Sequence, residues 1–417
     1  MDETTATTHD YTKLKLHELL QLCRDRGLKG CSGLRRSALI ELLSKTSSTA
    51  LTESEYVMQS MITYIGNKRK LVPWIMEVIE EIYPNRRDLV VLDGFAGSGV
   101  VSRALMSFCS KLHTNDMEYY SYILLRCFLE TPTEEQKRLI EKHFDEMSKL
   151  DMTEVGFISR LYSPVDTNDV KAGERCFYTR ENAIIIDTLL KYIFSVDEGI
   201  RHYLLGPLII KASINVNTAG VFRGFYKKDG IGHFGGAGEN ALERILAPIQ
   251  IDIPIWSNSK CVGQCYNSDI NELILGFKDN ELDLIYLDPP YNEHPYASNY
   301  FMLNLIALRE EPTEYSKVSG IPKVWNKSTF NGRGSAYDAM LELVRECVKK
   351  ARYVLISYNN EGLIGEDEWC DIFLELGCSV KVFQKEYDTY HGSRNLAERA
   401  KTVMEIMYLV SSKRDEI

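Results

Sequence analysis

The chain has 417 residues, a formal net charge of −10 and 44% hydrophobic residues. It can therefore bury more than one core, and its acidity excludes a protein covered with phosphate-binding surface. No apolar run long enough for a membrane helix occurs, and the polar N-terminus MDETTATTHD is unlike a secretory signal, which predicts a cytoplasmic protein without membrane contact. The cysteines include only one weak pair, Cys261 and Cys265, which predicts reduced thiols and no metal site.

Residues 11–50 form a basic module, with eight Lys and Arg against three Asp and Glu. Leucines at helical spacing predict a helix that ends at Gly27 and a second that starts near Gly33, followed by a Ser/Thr-rich linker. The string LKLHELLQLCRDRGLKGCSGLRRSALIELL resembles the SAP motif, a helical module that binds DNA and sometimes RNA. A short amphipathic hairpin with a solvated charged face is the alternative. The resemblance implies nucleic-acid contacts for residues 1–50 through Lys13, Arg35 and Arg36.

From Tyr64 onward, segments typical of strands alternate with segments typical of helices, which predicts a parallel sheet covered by helices. The interval between the second and third predicted strands is too long for a crossover, and residues 120–208 have a mostly helical pattern. We therefore expect an inserted substrate domain there. The predicted strands are residues 89–92, 111–115, 282–287, 352–357, 380–385 and 403–410.

The first chemical motif is VVLDGFAGSG at residues 90–99, an apolar strand followed by a Gly-rich turn. Glycines let the backbone adopt unusual torsions and approach a ligand at a helix N-terminus. The next strand ends in Asn115-Asp116, and an acid there can accept hydrogen bonds from ribose hydroxyls, although it could also cap a helix. The pairing predicts an adenosine-containing cofactor, contacted by Asp116 and by Asp93, Gly94, Phe95, Ala96, Gly97, Ser98 and Gly99.

The second motif is a buried strand that runs directly into Asp288-Pro289-Pro290-Tyr291. The prolines fix the backbone and remove its donors, so the Asp288 carboxylate and the Pro289 carbonyl can both point into a pocket as acceptors. Accepting both hydrogens of an exocyclic amine draws the nitrogen lone pair out of conjugation, and Tyr291 offers a stacking face for a planar base. These four residues are the predicted catalytic group for methylation of an amine.

Residues 61–410 resemble the Dam-like, α-group adenine-specific DNA methyltransferases of restriction–modification systems, viruses and phages. The resemblance rests on FAGSG, on DPPY, on MITYIGNKRKLVPWI and on the order of these motifs. It implies a doubly wound, Rossmann-like α/β fold with one antiparallel strand at its end. It also implies methyl transfer from S-adenosylmethionine to a flipped adenine, with S-adenosylhomocysteine as product. The further implied cofactor contacts are Tyr64, Gly66, Asn67, Lys68, Lys70 and Asp269, the last of which could instead be a helix N-cap.

The same resemblance divides the chain into a catalytic domain at 56–124 and 261–417 and a target-recognition insert at 125–260. Basic and aromatic residues in SINVNTAGVFRGFYKKDGIGHFGG suit phosphate contact and base stacking, and asparagine can read adenine edges, although in a Gly-rich loop it can also be a turn former. The predicted DNA contacts here and in the later motifs are Asn217, Arg223, Lys227, Lys228, Tyr300 and Arg394.

The expected partner is double-stranded DNA, and a cognate restriction endonuclease is the further partner that such a system implies; the oligomeric state stays open. RNA adenine methylation is one alternative, because a SAP module does not separate DNA from RNA. The resemblance also disfavours cytosine as the methylated base, because enzymes that methylate cytosine typically have a serine-led variant of DPPY. A non-catalytic DNA-binding protein that retains the fold is the alternative from a different class.

Overall fold

The computed structural model describes residues 19, 35–40, 56–57, 62, 66–236, 238–388 and 402–412. The chain divides into two compact units, Met1–Met58 and Gln59–Ile417. In the first unit, Arg35 and Arg36 are exposed beside a helical segment whose Leu39 is buried. Lys13 and most of the SAP-like string lie outside the described residues, so that motif stays a prediction. Within the described part of the chain, no helix has both the length and the apolar character needed to cross a membrane.

A seven-stranded sheet in the order β5-β2-β1-β6-β7-β9-β8 organises the second unit. Neighbouring strands of this sheet are parallel from β5 to β7, whereas β9 runs antiparallel to both β7 and β8. The strands are β1 (Leu89–Asp93), β2 (Cys109–Asn115), β5 (Val262–Tyr266), β6 (Leu282–Leu287), β7 (Ala351–Asn359), β8 (Cys378–Asp388) and β9 (Thr402–Ser412). A separate two-stranded hairpin joins β3 (Lys227–Lys228) to β4 (Ile231–Gly232).

The sheet confirms the predicted α/β, Rossmann-like fold class. The central strands β1 and β6 are almost continuously buried, as expected for parallel strands covered on both faces. Two details differ from the prediction. The antiparallel strand lies second from the edge of the sheet, and the edge strand β5 was not predicted, because its sequence VGQCY is partly exposed and lacks an apolar run.

Helices cover the sheet and build the long interval between β2 and β5. They are α1 (Val72–Ile82), α2 (Val100–Leu105), α3 (Tyr119–Leu129), α4 (Glu134–Ser148), α5 (Phe157–Leu161), α6 (Arg180–Ile193), α7 (Glu198–Ile214), α8 (Leu242–Leu246), α9 (Ile270–Leu273), α10 (Tyr296–Asn299), α11 (Phe301–Leu308), α12 (Ala336–Lys350) and α13 (Glu366–Leu376). Short 3₁₀ turns occupy Lys68–Lys70, Ile274–Gly276 and Thr329–Asn331. Helix α4 begins with a capping box between Thr133 and Gln136.

Two large cores support these layers. One packs α12 and α13 against the sheet through residues such as Ile285 and Trp369. The other runs through the helices of the long interval and includes Leu124 of α3, Leu204 of α7 and Phe301 of α11. The helical insert therefore shares its core with α11, whereas Tyr291 of the DPPY motif packs against the core that joins α12 and α13 to the sheet.

Candidate active site

A cleft with an empty volume of about 950 Å³ lies at the carboxyl ends of the central strands. Because parallel strands end at the same edge of a sheet, the segments that follow β1, β2 and β6 meet there. The cleft is lined by the Gly-rich turn after β1, by the acids after β2 and by Asp288–Tyr291 after β6. Residues 66–68 and the 3₁₀ turn Thr329–Asn331 close its remaining sides.

The Gly-rich turn passes directly against neighbouring segments. A Cβ atom at Gly94 would lie 2.8 Å from Leu287 Cδ2 and 3.2 Å from Ile270 Cδ1, so a larger residue there would have to displace these side chains. Gly97 has a φ of +53°, which favours glycine. Its N–H donates to Asp116 Oδ2 at 2.8 Å, and this bond fastens the turn to the end of β2.

The buried carboxylates that line the cleft outnumber its positively charged side chains. Burial raises the pKa of Asp93 to about 7, that of Asp116 to about 6 and that of Glu118 to about 7. Asp93 Oδ2 accepts a hydrogen bond from Ser102, whereas Asp93 Oδ1 is buried without a hydrogen-bond partner. The cleft therefore presents negative charge and unused acceptor capacity to a ligand.

The Asp288 carboxylate belongs to a buried ion-pair triad with Lys68 and Glu405. Lys68 Nζ lies 3.3 Å from Asp288 Oδ1 and 3.1 Å from Glu405 Oε2, and the Lys68 side chain is 3% exposed. Burial, reinforced by the Glu405 carboxylate, raises the pKa of Asp288 to about 6 against the opposing effect of Lys68. Burial disfavours the charged form of Lys68, but the neighbouring acidic groups outweigh it and hold its pKa well above the usual value.

Tyr291 is held where the segment that begins at Gly66 meets the DPPY motif. Its ring packs edge-on against Tyr358 with centroids 5.9 Å apart, and Leu363 N–H donates to its carbonyl at 3.1 Å. A Cβ atom at Gly66, whose φ is +73°, would lie 2.9 Å from Tyr291 Oη and 3.4 Å from Tyr296 Oη. The segment at residue 66 thus abuts the tyrosine that sequence reasoning assigns to base stacking.

Most residues predicted for catalysis and cofactor binding do line this cleft: Gly66, Asn67, Lys68, Asp93, Gly94, Phe95, Ala96, Gly97, Ser98, Asp116, Asp269, Asp288, Pro289, Pro290 and Tyr291. Gly99 does not, and instead precedes α2 as its N-cap. Lys70 is exposed and also does not line the cleft. Tyr64 lies outside the described residues.

The two acids with alternative capping roles have different local geometry. Asp269 both lines the cleft and caps α9, because its side chain accepts from Asn271 N–H at 2.8 Å. Asp116 is not a helix cap: Glu118 occupies the N-cap position of α3, and Asp116 Oδ1 accepts from the Glu118 N–H at 2.8 Å. Asp116 is therefore part of the turn that shapes the cleft.

Two of the predicted DNA contacts are wrong, because their side chains lie in the interior. Asn217 has no exposed surface; its amide donates to the carbonyls of Cys176 at 2.8 Å and His233 at 3.1 Å and accepts from Gly235 N–H at 3.1 Å. Tyr300 is likewise fully buried. The structure does place Arg223, Lys227 and Lys228 on the surface, whereas Arg394 lies outside the described residues.

The residues of the site that were missed from the sequence include Glu118, Phe330 and Asn331, which line the cleft, and Glu405, which completes the triad. Glu405 left a readable signal, since it is the lone acid in the apolar stretch TVMEIMYLV and a buried acid requires a partner. Phe330 left none, because it reaches the cleft only through tertiary contact with Phe95, at a ring-centroid distance of 5.1 Å.

The sheet and the juxtaposition of a Gly-rich turn with DPPY define a Rossmann-like methyltransferase. The model of one family, D12 class N6 adenine-specific DNA methyltransferase, matches residues 64–361, so the chain belongs to that family. Its function as an adenine-specific DNA methyltransferase, predicted from the sequence, is thereby confirmed.

Curated relatives agree with this family. The chain is 30% identical over 369 residues to the modification methylase StsI of Streptococcus sanguinis. The matched region covers 84% of this chain and 52% of that protein. It is 28% identical to the type II methyltransferase M.NlaIII of Neisseria lactamica, over 84% of this chain and 99% of that protein. It is also 29% identical to M.CviAII of Paramecium bursaria Chlorella virus 1, over 77% and 90% of the two chains. The chain thus spans about half of the StsI methylase and nearly all of M.NlaIII.

Proposed function

We propose that this chain methylates N6 of an adenine extruded from double-stranded DNA at a specific sequence, with S-adenosylmethionine as methyl donor. One observation carries the proposal: Asp288 and Tyr291 share a single cleft with the Gly94–Ser98 turn. A base that stacks on Tyr291 is then within the same cavity as a cofactor on the turn. Relatives named as modification and type II methylases support a role beside a cognate restriction endonuclease.

The charges of the cleft fit S-adenosylmethionine, whose sulfonium and ammonium groups are positive. Among the described lining residues, Lys68 is the single Lys or Arg, and two carboxylates already engage it. A dinucleotide with an anionic pyrophosphate would meet Asp93, Asp116 and Glu118 instead of cations. We assign the cofactor to the Gly94–Ser98 turn, with Asp116 and Glu118 as hydrogen-bond acceptors; when bound, it supplies a methyl group on a positively charged sulfur.

The DPPY segment would hold the base. The Asp288 carboxylate and the Pro289 carbonyl accept the two amine hydrogens, which leaves the nitrogen lone pair free to attack. Tyr291 stacks on the purine and offsets part of the few kcal/mol that unstacking costs. Lys68, which is 3% exposed and also pairs with Glu405, would keep the Asp288 side chain in one orientation through their ion pair. Positioning supplies most of the acceleration in this scheme.

Duplex contacts are assigned to exposed cations. Arg223, Lys227 and Lys228 lie on the surface of the insert, and Lys227 and Lys228 form the hairpin strand β3. We assign them to phosphates. Arg35 and Arg36, exposed in the first unit, keep their assignment to the SAP-like module, and the insert at 125–260 keeps its assignment to target recognition.

The test is expression in a host that lacks adenine methylation, followed by nucleoside mass spectrometry and sequencing of modified bases. The expected result is N6-methyladenine in DNA, confined to one sequence motif. Methylation of RNA alone, N4-methylcytosine as the product, or binding of S-adenosylmethionine without any methylated nucleic acid would overturn the proposal.

A further inference from the structure

The connection between α11 and α12 spans residues 309–335, and residues within 326–331 line the cleft; we call residues 313–335 the rim loop. Connections in compact domains are usually about 4–6 residues long, and much longer ones commonly carry function. The rim loop holds one acid, Glu314, and four cations: Lys317, Lys323, Lys327 and Arg333. The whole connection, which also contains Arg309, Glu310 and Glu311, has five cations and three acids, a net charge of +2 in a chain whose net charge is −10.

Tertiary contacts fix the rim loop at both ends. Tyr162 Oη donates to the Gly320 carbonyl at 2.8 Å, and Arg175 donates to two further loop carbonyls at 3.2 and 3.1 Å. At the other end, buried Phe330 packs edge-on against Phe95 of the Gly-rich turn. The loop is thus anchored to the insert and to the cofactor turn, and it presents its cations on an ordered surface.

These cations are available to a partner. Lys317 and Lys327 are exposed, and neither forms an ion pair with any residue that the structure describes. Lys323 pairs with Glu314 at 3.0 Å, but the two side chains are 65% and 69% exposed, and such pairs contribute little. Internal ion pairing therefore does not account for the charge of the loop.

The rim loop and the basic face of the insert converge beside the DPPY motif. Arg333 Nε lies 3.8 Å from Glu293 Oε1, and Arg223 Nη1 lies 3.4 Å from His294 Nδ1. Glu293 and His294 are consecutive residues that follow Tyr291 closely. Cations from two distant parts of the chain thus approach the same short segment at the entrance to the cleft.

We propose that the rim loop is a second DNA-contacting surface, in which Lys317 and Lys327 bind backbone phosphates of the duplex beside the extruded adenine. The inference rests on the proposed function, because it takes the cleft entrance as the place where the base enters. Phosphate contacts fix the position of the duplex without reading its sequence. The rim loop and the Arg223–Lys228 region would then grip the DNA backbone on both sides of the target.

The test compares wild type with the double variant Lys317→Gln/Lys327→Gln, using a fluorescent random-sequence duplex and anisotropy in about 50–200 mM KCl. Each phosphate contact contributes about 0.9 to the slope of log affinity against log salt, so the slope should fall by about 1.8. The advantage of wild type over the variant should consequently shrink about twelvefold across this fourfold salt range. S-adenosylmethionine binding and single-turnover methyl transfer at saturating DNA should not change.

A matched control removes two charges elsewhere. Lys349→Gln/Lys381→Gln alters side chains that are 49% and 48% exposed on α12 and β8, outside the insert, and that do not line the cleft, and its salt slope should equal that of wild type. A rim-loop variant with the wild-type slope, or with the same slope change as the control, would overturn the inference. Adenine methylation by the same preparations separates the two claims: its absence in wild type overturns the proposed function, whereas its presence with an unchanged slope overturns only the rim-loop assignment.

Discussion

At the scale of single residues, Gly66 has a double constraint, a positive φ of +73° and a Cβ position 2.9 Å from Tyr291 Oη. We predict that Gly66→Ala slows single-turnover methyl transfer sharply, because the methyl group must displace the stacking tyrosine. The left-handed backbone alone costs alanine about 1–2 kcal/mol. Gly173 provides the matched control, since it has a φ of +92° and open space around its Cβ position. If Gly173→Ala impairs methyl transfer as much as Gly66→Ala, displacement of Tyr291 is not the cause.

Glu405 acts through Lys68, so we treat it as a positioning residue. Glu405→Gln preserves size but removes a charge that raises the pKa of Asp288. We predict a methyl-transfer rate reduced about 10- to 100-fold through misplacement of Asp288. The acid limb of the pH–rate profile, near pH 6 in wild type if Asp288 must be ionised, should move to lower pH. A reduced rate with an unmoved acid limb would indicate a purely structural role.

At the scale of elements, Asn217 joins the segment after α7 to two other parts of the insert. Asn217→Ala leaves the carbonyls of Cys176 and His233 and the Gly235 N–H without this partner. Unsatisfied buried groups cost about 1–3 kcal/mol each, so we predict a loss of at least about 2 kcal/mol in urea unfolding. Asn240→Ala, at an exposed site of the same region, should change stability little. If the Asn217 variant instead loses DNA affinity while its stability is unchanged, the result would support the prediction from the sequence that Asn217 contacts DNA.

The strands and the site residues differ in how well the sequence predicts them. Strands β1 and β6 were predictable because central parallel strands are apolar runs, and the turn and DPPY were predictable because their chemistry is local in the chain. Edge strand β5 was not, since partial exposure removes the pattern. Asn217 was misassigned because composition cannot tell a polar side chain that faces solvent from one that satisfies buried backbone, and Tyr300 because composition cannot tell an exposed ring from a buried one. The triad joins residues 68, 288 and 405, which are far apart in the chain. Only the folded structure reveals these two ion pairs.

At the scale of the whole molecule, the acidic cleft should make cofactor binding depend on pH. Asp93 and Glu118, with pKa values of about 7, are mostly neutral at pH 5.5 and ionised at pH 8. We predict that S-adenosylmethionine binds more tightly at pH 8, with protons released near pH 6.5, as calorimetry in buffers of different ionisation enthalpy would show. Equal or tighter binding at pH 5.5 would contradict the assignment of these acids to a cationic ligand.

The same pKa shifts affect stability in the opposite direction. The pKa of Asp93 is raised in the folded chain above its ordinary value of 3.8, so folding takes up protons between these values. Its contribution to the stability of the ligand-free protein therefore falls as pH rises from about 4 to about 7. Added S-adenosylmethionine should consequently raise the melting temperature more at pH 8 than at pH 5.5.

The most direct test of the account is Asp288→Ala, assayed for transfer of a labelled methyl group to DNA and, separately, for binding of S-adenosylmethionine. Asp279→Ala is the control, because Asp279 lies on the surface with its side chain 68% exposed. The account predicts that Asp288→Ala loses transfer by at least about 100-fold, as expected when a preorganised acceptor is removed, while cofactor binding persists. Near-normal transfer by Asp288→Ala would contradict the claim that this carboxylate holds the adenine amine.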